Sequence, residues 1–211
     1  MFPKALATAG TVCLLLAFYA LLTAPRMSLP AVAAAAASAP AYAANGNMLP
    51  PTNYREWIYL TTGKDMSYTA KSGDMSMFDN VFVNPEAYRS FLTTGTWPDK
   101  TMLVLEAREA KSKGSINKSG HYQGTDVMDI EVHVKDEARF PGRWAFFSFD
   151  SLSANGTLVP QAAPCYSCHA AHAAVDTTFV QFYPTLLPLA QKKGTLSKEY
   201  LKDEGAPRAG Q

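Results

Sequence analysis

Three residues in the C-terminal quarter of the chain carry reactive side chains at a spacing with chemical meaning: Cys165, Cys168 and His169, in the run Cys165-Tyr-Ser-Cys168-His169. C-x-x-C-H is the attachment pattern of c-type haem. The reason is helical geometry. Positions i, i+3 and i+4 share one helix face, so both thiols can reach the two haem vinyl groups while the neighbouring imidazole reaches the iron. Pro164 suits the first position of such a helix. Two other chemistries use paired cysteines. A redox-active C-x-x-C follows a strand in a βαβ unit, and a zinc site needs a second ligand pair. The only other cysteine is Cys13, inside an apolar N-terminal run. The motif therefore predicts one covalent c-type haem, with Cys165 and Cys168 as thioethers and His169 as the axial iron ligand.

The second axial position is the next question. In small electron-transfer cytochromes a methionine downstream of the motif completes the iron; here no methionine follows it. His172 lies three residues past His169, on the same side of the haem, and reads as a solvated helix residue. His121 adjoins a loop glycine and reads as exposed, His133 shares a strand face with Glu131, and several methionines upstream of the motif are the other candidates. These placements predict an iron with one strong protein ligand and an open site. Such iron binds small molecules such as NO, CO or hydroxylamine, and the polarity and access of the distal pocket decide among them.

Around these residues the chain is that of an ordinary globular protein. It has 211 residues, 47% hydrophobic and 18% charged, with 19 basic against 18 acidic residues and a net charge of +1. That balance excludes a disordered chain and leaves no electrostatic footprint for nucleic acid. The N-terminus reads as an export signal: Lys4, the apolar run Ala5–Leu22, and an A-x-A cleavage site at Ala41-Tyr42-Ala43. Ala5–Leu22 also just reaches the length of a membrane span, so an uncleaved anchor is the alternative. Either reading places the body of the protein outside the cytoplasm, in the periplasm.

The haem motif must be held by the elements before it. Tyr54–Thr61, Phe78–Val83, Thr101–Glu109, Asp126–Lys135 and Arg143–Phe149 read as strands. Asn84-Pro85-Glu86 opens a helix ending near Gly95, with Asn84 as its N-cap. In the fourth strand Met128, Ile130, Val132 and Val134 alternate with Asp129, Glu131, His133 and Lys135. From Pro164 onward the pattern is helical, broken at Pro184 and Pro188, and the tail after Lys198 is polar. The expected fold is α+β: a mostly antiparallel sheet with a few helices, the haem attached on a C-terminal helix. The expected organisation is a signal or anchor over 1–43, a linker over 44–52, the haem domain over 53–192 and a polar tail over 193–211.

The series Asn53-Tyr-Arg-Glu-Trp57, Asn84-Pro-Glu-Ala-Tyr88, Val134-Lys-Asp136, Arg139-Phe140, Trp144-Ala-Phe-Phe147, Cys165-x-x-Cys168-His169 and Phe182-Tyr-Pro184 resembles the cytochrome P-460 family. The resemblance covers about residues 53–188. It implies a mostly antiparallel sheet, a homodimer and a five-coordinate c-type haem. The family includes hydroxylamine-oxidising enzymes and the related cytochromes c′-beta, which bind NO and CO. In the enzymes a lysine is linked covalently to the haem edge; the matching position here is Leu105, which cannot form that link. The family's distal carboxylate falls at Glu131, a proton relay in the resemblance. Arginines of the family fall at Asp79 and Gln181. Phe78 is the expected apolar cap over the iron, and Trp144, Phe146 and Phe147 the expected core and haem contacts.

These features together predict a periplasmic haem protein of the c′-beta kind that binds NO and CO. The rivals are hydroxylamine or NO oxidoreduction at the same iron, with Glu131 relaying protons, and simple electron transfer. Partners expected are the small gaseous or nitrogen-oxide ligand, a second copy of the chain and a periplasmic redox protein, with no nucleic acid.

Overall fold

The computed structural model describes residues 38–67 and 75–205. The expected signal or anchor lies almost wholly outside them, and no helix among the described residues is long and apolar enough to cross a membrane.

Six strands form one sheet in which spatial order equals chain order, each antiparallel to the one before. They are β1 (Ile58–Lys64), β2 (Met77–Val83), β3 (Met102–Lys111), β4 (Tyr122–Lys135), β5 (Trp144–Phe149) and the short β6 (Thr157–Leu158). Helix α1 (Pro85–Thr94) joins β2 to β3, and α2 (Pro164–His172), α3 (Leu187–Lys193) and α4 (Lys198–Gly205) follow the sheet. The fold among the described residues is α+β, as the sequence pattern predicts, with six antiparallel strands where five were expected, and four helices. β6 is the strand that sequence reasoning missed; its two residues are too few to show an alternation.

Each sheet face is covered. On one, Phe91 of α1, Leu103 of β3, Trp144 of β5 and Tyr183, Leu186 and Ala190 beyond α2 pack together. On the other, Val104, Ile130, Val132, Val134 and Phe147 meet Met48, Tyr54 and Trp57 from the segment before β1. This two-sided burial follows from period-2 alternation, one parity of each strand serving each face.

Several local expectations are corrected. Tyr54–Glu56 is a 3₁₀ turn, and the first strand starts only at Ile58. The fully buried Tyr54 sends its hydroxyl to the buried Glu106, and that tertiary bond overrides the strand propensity of its aromatic neighbours. Asn84 precedes α1 but makes no side-chain cap. Its Oδ1 instead accepts the Met102 N–H at 2.8 Å, tying the start of β3 to the α1 corner. Gly95 ends α1 at φ +77°, where a Cβ would lie 2.8 Å from Lys193. Asn45–Thr52, expected as a linker, is packed: Met48 is fully buried and exchanges backbone hydrogen bonds with Gly156. The polar tail forms α4 from Lys198, with Tyr200 buried.

Tyr42, the middle residue of the expected cleavage site, belongs to this packed segment. Its ring lies 5.9 Å from that of Phe147 and 6.0 Å from that of Phe140. The Arg139 guanidinium stacks on it at 4.0 Å and its hydroxyl donates to Asp136. Leu49 N–H donates to Ala41 O at 2.8 Å, so the flanking backbone is paired as well.

Candidate haem site

Helix α2 starts as its sequence directs, with Pro164 in the first turn after an extended Ala163. No cap side chain holds it; Tyr166, between the two cysteines, does. The Tyr166 hydroxyl donates to Val159 O at 3.0 Å and accepts from Phe146 N–H at 3.2 Å. The helix is thereby fixed to β5 and to the chain just past β6. Cys165 and Cys168 are free thiols, half-buried, and with His169 they line a cavity of about 540 Å³ between α2 and the sheet.

The sheet contributes the facing wall through its register. One row across the strands reads Gly63, Asp79, Ala107, Asp129; the next reads Thr61, Val81, Leu105, Glu131. All eight line the cavity. A third row, Leu103, His133, Phe146, brings the sheet up against His169. The His133 ring stacks on Phe146 at 4.0 Å and meets His169 edge-on at 5.1 Å. Phe179 covers another side of His169 at 4.2 Å.

The structure brings Leu105, Glu131, Cys165, Cys168 and His169 together as the sequence reading requires. Phe78 is the exception. It does not line the cavity, whereas Met77, Asp79 and Val81 do. The parity of β2 turns Phe78 to the opposite face, so an apolar cap from that residue is excluded. Phe147 likewise belongs to the far core, while Phe146 reaches His169. His121 and His172 are exposed, His172 pairing with Asp203, and Gln181 spends its amide on the backbone of Ala174 and His172.

Burial lowers the pKa of His169, and burial lowers that of His133 still further, with His169 adding to it. Both are neutral imidazoles near neutral pH. His169 Nδ1 lies 2.7 Å from Thr177 O, which can only accept, so Nδ1 carries the proton and Nε2 keeps a free lone pair. Burial, then Asp129 and Asp79, raise the pKa of Glu131; burial, then Asp129 and Asp65, raise that of Asp79. Glu131 is open to the cavity yet set deep between its walls, which is why an accessible carboxylate still feels desolvation.

These observations are a fit test for the haem that the motif implies, and the residues pass it. Two thiols and a neutral imidazole with a fixed tautomer share one wall of a mainly apolar cavity. Among the described residues no group of three His, Cys, Asp or Glu is placed to hold a bare metal ion. Sequence reasoning missed Thr177, the acceptor of the His169 proton; of the methionines upstream of the motif, Met66 and Met77 line the cavity beside Gly63 and Asp79. Met77 was readable from its shared parity with Asp79; Thr177 lies in a turn with no periodic signal.

The family described as Cytochrome P460 matches residues 51–180, more than half of the chain, including Cys165, Cys168 and His169. No curated protein matches the chain.

Proposed function

The chain belongs to the cytochrome P460 family, and from that premise we propose that it is an exported c-type haem protein whose open iron site binds NO and CO, closest in kind to the cytochromes c′-beta. Family membership suggests a c-type haem protein of nitrogen-oxide metabolism. The finer reading rests on Leu105. It lines the cavity beside its register partner Glu131, at the position where the oxidising enzymes of the resemblance carry their haem-linked lysine.

Cys165 and Cys168 would hold the haem by thioethers and His169 Nε2 would bind its iron. The bound group supplies a ligand-binding iron; the chain supplies everything that orients and shields it. The Thr177 carbonyl holds the His169 proton on Nδ1 and raises the basicity of Nε2. Leu103, Leu105 and Val81 keep the facing wall apolar, and Phe146 and Phe179 exclude water from the imidazole. Glu131, with its raised pKa, can hold or release a proton at its carboxyl closer to neutrality than an ordinary glutamate.

A second reading has an observation of its own. Met66 and Met77 line the cavity, and a thioether bound to iron would make the protein an electron carrier. The optical spectrum of the purified, haem-loaded protein separates the two. A high-spin ferric spectrum, unchanged in His121→Ala, His172→Ala and Met77→Leu, supports the open site. A low-spin spectrum that turns high-spin in Met77→Leu or Met66→Leu replaces it with electron transfer. Steady-state turnover with hydroxylamine and an electron acceptor tests the oxidoreductase reading, and light scattering of the same sample tests the homodimer that the resemblance implies.

A further inference from the structure

The carbonyl that accepts the His169 proton is gripped from outside the haem helix. Thr177 sits in a two-residue turn with Asp176, closed by Thr178 N–H to Val175 O at 2.9 Å and Val175 N–H to Thr178 O at 3.3 Å. Asp176 holds φ +52°, a left-handed conformation that costs a side-chain-bearing residue energy and that glycine adopts freely. The position nonetheless carries a carboxylate. Its Oδ2 is buried without a hydrogen-bond partner and lies 3.6 Å from the ammonium of Lys135.

Lys135 is itself buried, at the end of β4. Its ammonium donates to Trp97 O at 2.6 Å, lies 3.6 Å from Glu137 Oε1 and stands 5.8 Å from the Trp144 ring centroid. Trp97 closes the circuit: its indole N–H donates to Thr178 Oγ1 at 2.7 Å, and that hydroxyl donates to Val175 O at 2.8 Å. Lys135, Asp176, Thr178 and Trp97 form a closed loop of contacts with Thr177 at its apex. A desolvated ammonium is costly unless paired, so the loop resists opening at any point.

We propose that Lys135 and Asp176 are positioning residues for the axial histidine: their ion pair holds the 176–177 turn so that the Thr177 carbonyl stays aimed at His169 Nδ1, which sets how strongly His169 donates to the iron. The proposal rests on the reading of His169 as axial ligand. Hydrogen bonding at the outer nitrogen makes the inner nitrogen a stronger donor. A slackened turn then weakens the iron–histidine bond and favours the ferrous state.

The test uses full-length, haem-loaded protein with Asp176→Asn, Asp176→Gly, Lys135→Met and Lys135→Arg. Resonance Raman spectroscopy of the unliganded ferrous form reads the iron–histidine stretch, and spectroelectrochemistry reads the reduction potential. Asp176→Asn and Asp176→Gly both tolerate positive φ, so neither introduces backbone strain. Both are expected to lower the stretching frequency and move the potential positive. Lys135→Met is expected to move both readouts in the same directions, and Lys135→Arg, which keeps a cation, to return them toward the wild type. The shared direction is the discriminating feature. Lys135 and Asp176 carry opposite charges, so a mere through-space field would shift the potential oppositely in the two variants.

Wild-type frequency and potential in both Asp176 variants would overturn the proposal, as would a change in Asp176→Gly with Asp176→Asn unaltered. Opposite potential shifts in Lys135→Met and Asp176→Asn would overturn it too. Where Lys135 variants fail to fold, the two Asp176 variants decide alone. A low-spin ferrous spectrum in the unmodified protein sinks the open-site reading instead; the potential of the Asp176 variants then still decides the turn's role.

Discussion

Leu105 and Glu131 are register partners on β3 and β4, and both face the cavity that carries the cysteines and His169. The residue proposed to match the cross-linking lysine thus stands directly beside the carboxylate proposed for proton transfer. With an aliphatic side chain there, the ferrous Soret band is expected to be that of an ordinary five-coordinate c-type haem, with negligible hydroxylamine turnover and NO binding retained. Leu105→Lys, oxidised with peroxide, is expected to acquire a red-shifted ferrous band in part of the sample. A red-shifted band in the unmodified protein would return the reading to an oxidase.

Cys165 and Cys168 are each proposed to supply one thioether, which alanine removes. Intact mass should show covalent haem lost or markedly reduced in each single variant and no covalent haem at all in the double variant. A haem-free mass for the unmodified mature chain would end the c-type reading.

Glu131 is raised by burial and by Asp129 and Asp79, so its proton is lost at higher pH than from an ordinary glutamate. Any ligand-binding step controlled by that proton should titrate above the usual carboxyl range. Asp129→Asn and Asp79→Asn each remove a neighbouring negative charge, so each should move the titration to lower pH. Spectrophotometric ligand titrations at constant ionic strength measure this, and an unmoved midpoint in both variants removes Glu131 from the step. The same raised pKa works against folding at high pH, where the folded state must hold the deprotonated form.

Glu106 has the opposite sign. It is buried, which alone would raise its pKa, but hydrogen bonds from Arg108 and Tyr54, with Arg55 beside them, hold it below the usual range. A depressed carboxyl stabilises the fold above its unfolded pKa, and that contribution is lost as pH falls through the folded value. Acid unfolding should therefore steepen below about pH 4. Glu106→Gln should cost on the order of 2 kcal/mol near neutral pH and flatten the acid limb. Denaturant midpoints across pH check both.

Tyr42 predicts where the folded chain begins. Its packing on Phe140, Phe147 and Arg139 makes residues 41–49 part of the domain. A chain starting at Ala44 should lose about 1–3 kcal/mol relative to one starting at Ser38, and Tyr42→Ala should reproduce most of the loss. Under the proposed export, intact mass of the processed protein is expected to show Tyr42 retained, with any cleavage upstream of it; recovery of a mature chain starting at Ala44 would contradict this.

What could be read beforehand divides along physical lines. The β4 alternation from Asp126 to Lys135 announced two faces, and Asp129, Glu131 and His133 do share the cavity face. Cys165, Cys168 and His169 were legible because helical spacing and reactivity coincide. Phe78 lies one residue from the cavity-facing Met77 and Asp79, and in a strand one residue reverses the face. Tyr54 carries a strand-like sequence around it, whereas its hydroxyl's partner, Glu106, lies about 50 residues away and leaves no local trace. Thr177 was invisible for a related reason: it acts through its backbone carbonyl, and a carbonyl has no residue type. The packing of residues 41–49 and of α4 likewise comes from tertiary contacts, those of Tyr42 and Met48 for the first and of Tyr200 and Asp203 for the second.

All six strands among the described residues precede Cys165 in the chain, and α2 is anchored through Tyr166 to β5 and to the chain just past β6. A polypeptide made N-terminus first therefore has every strand of the sheet in hand before the peptide proposed to bear the haem follows. Under that proposal, the strands need nothing from the cofactor to pair with one another. The sheet should then survive without its prosthetic group: the Cys165→Ala/Cys168→Ala double variant is expected to keep its far-ultraviolet β signature and a cooperative unfolding transition, while α2 and the segment to Tyr183 exchange their amide protons faster.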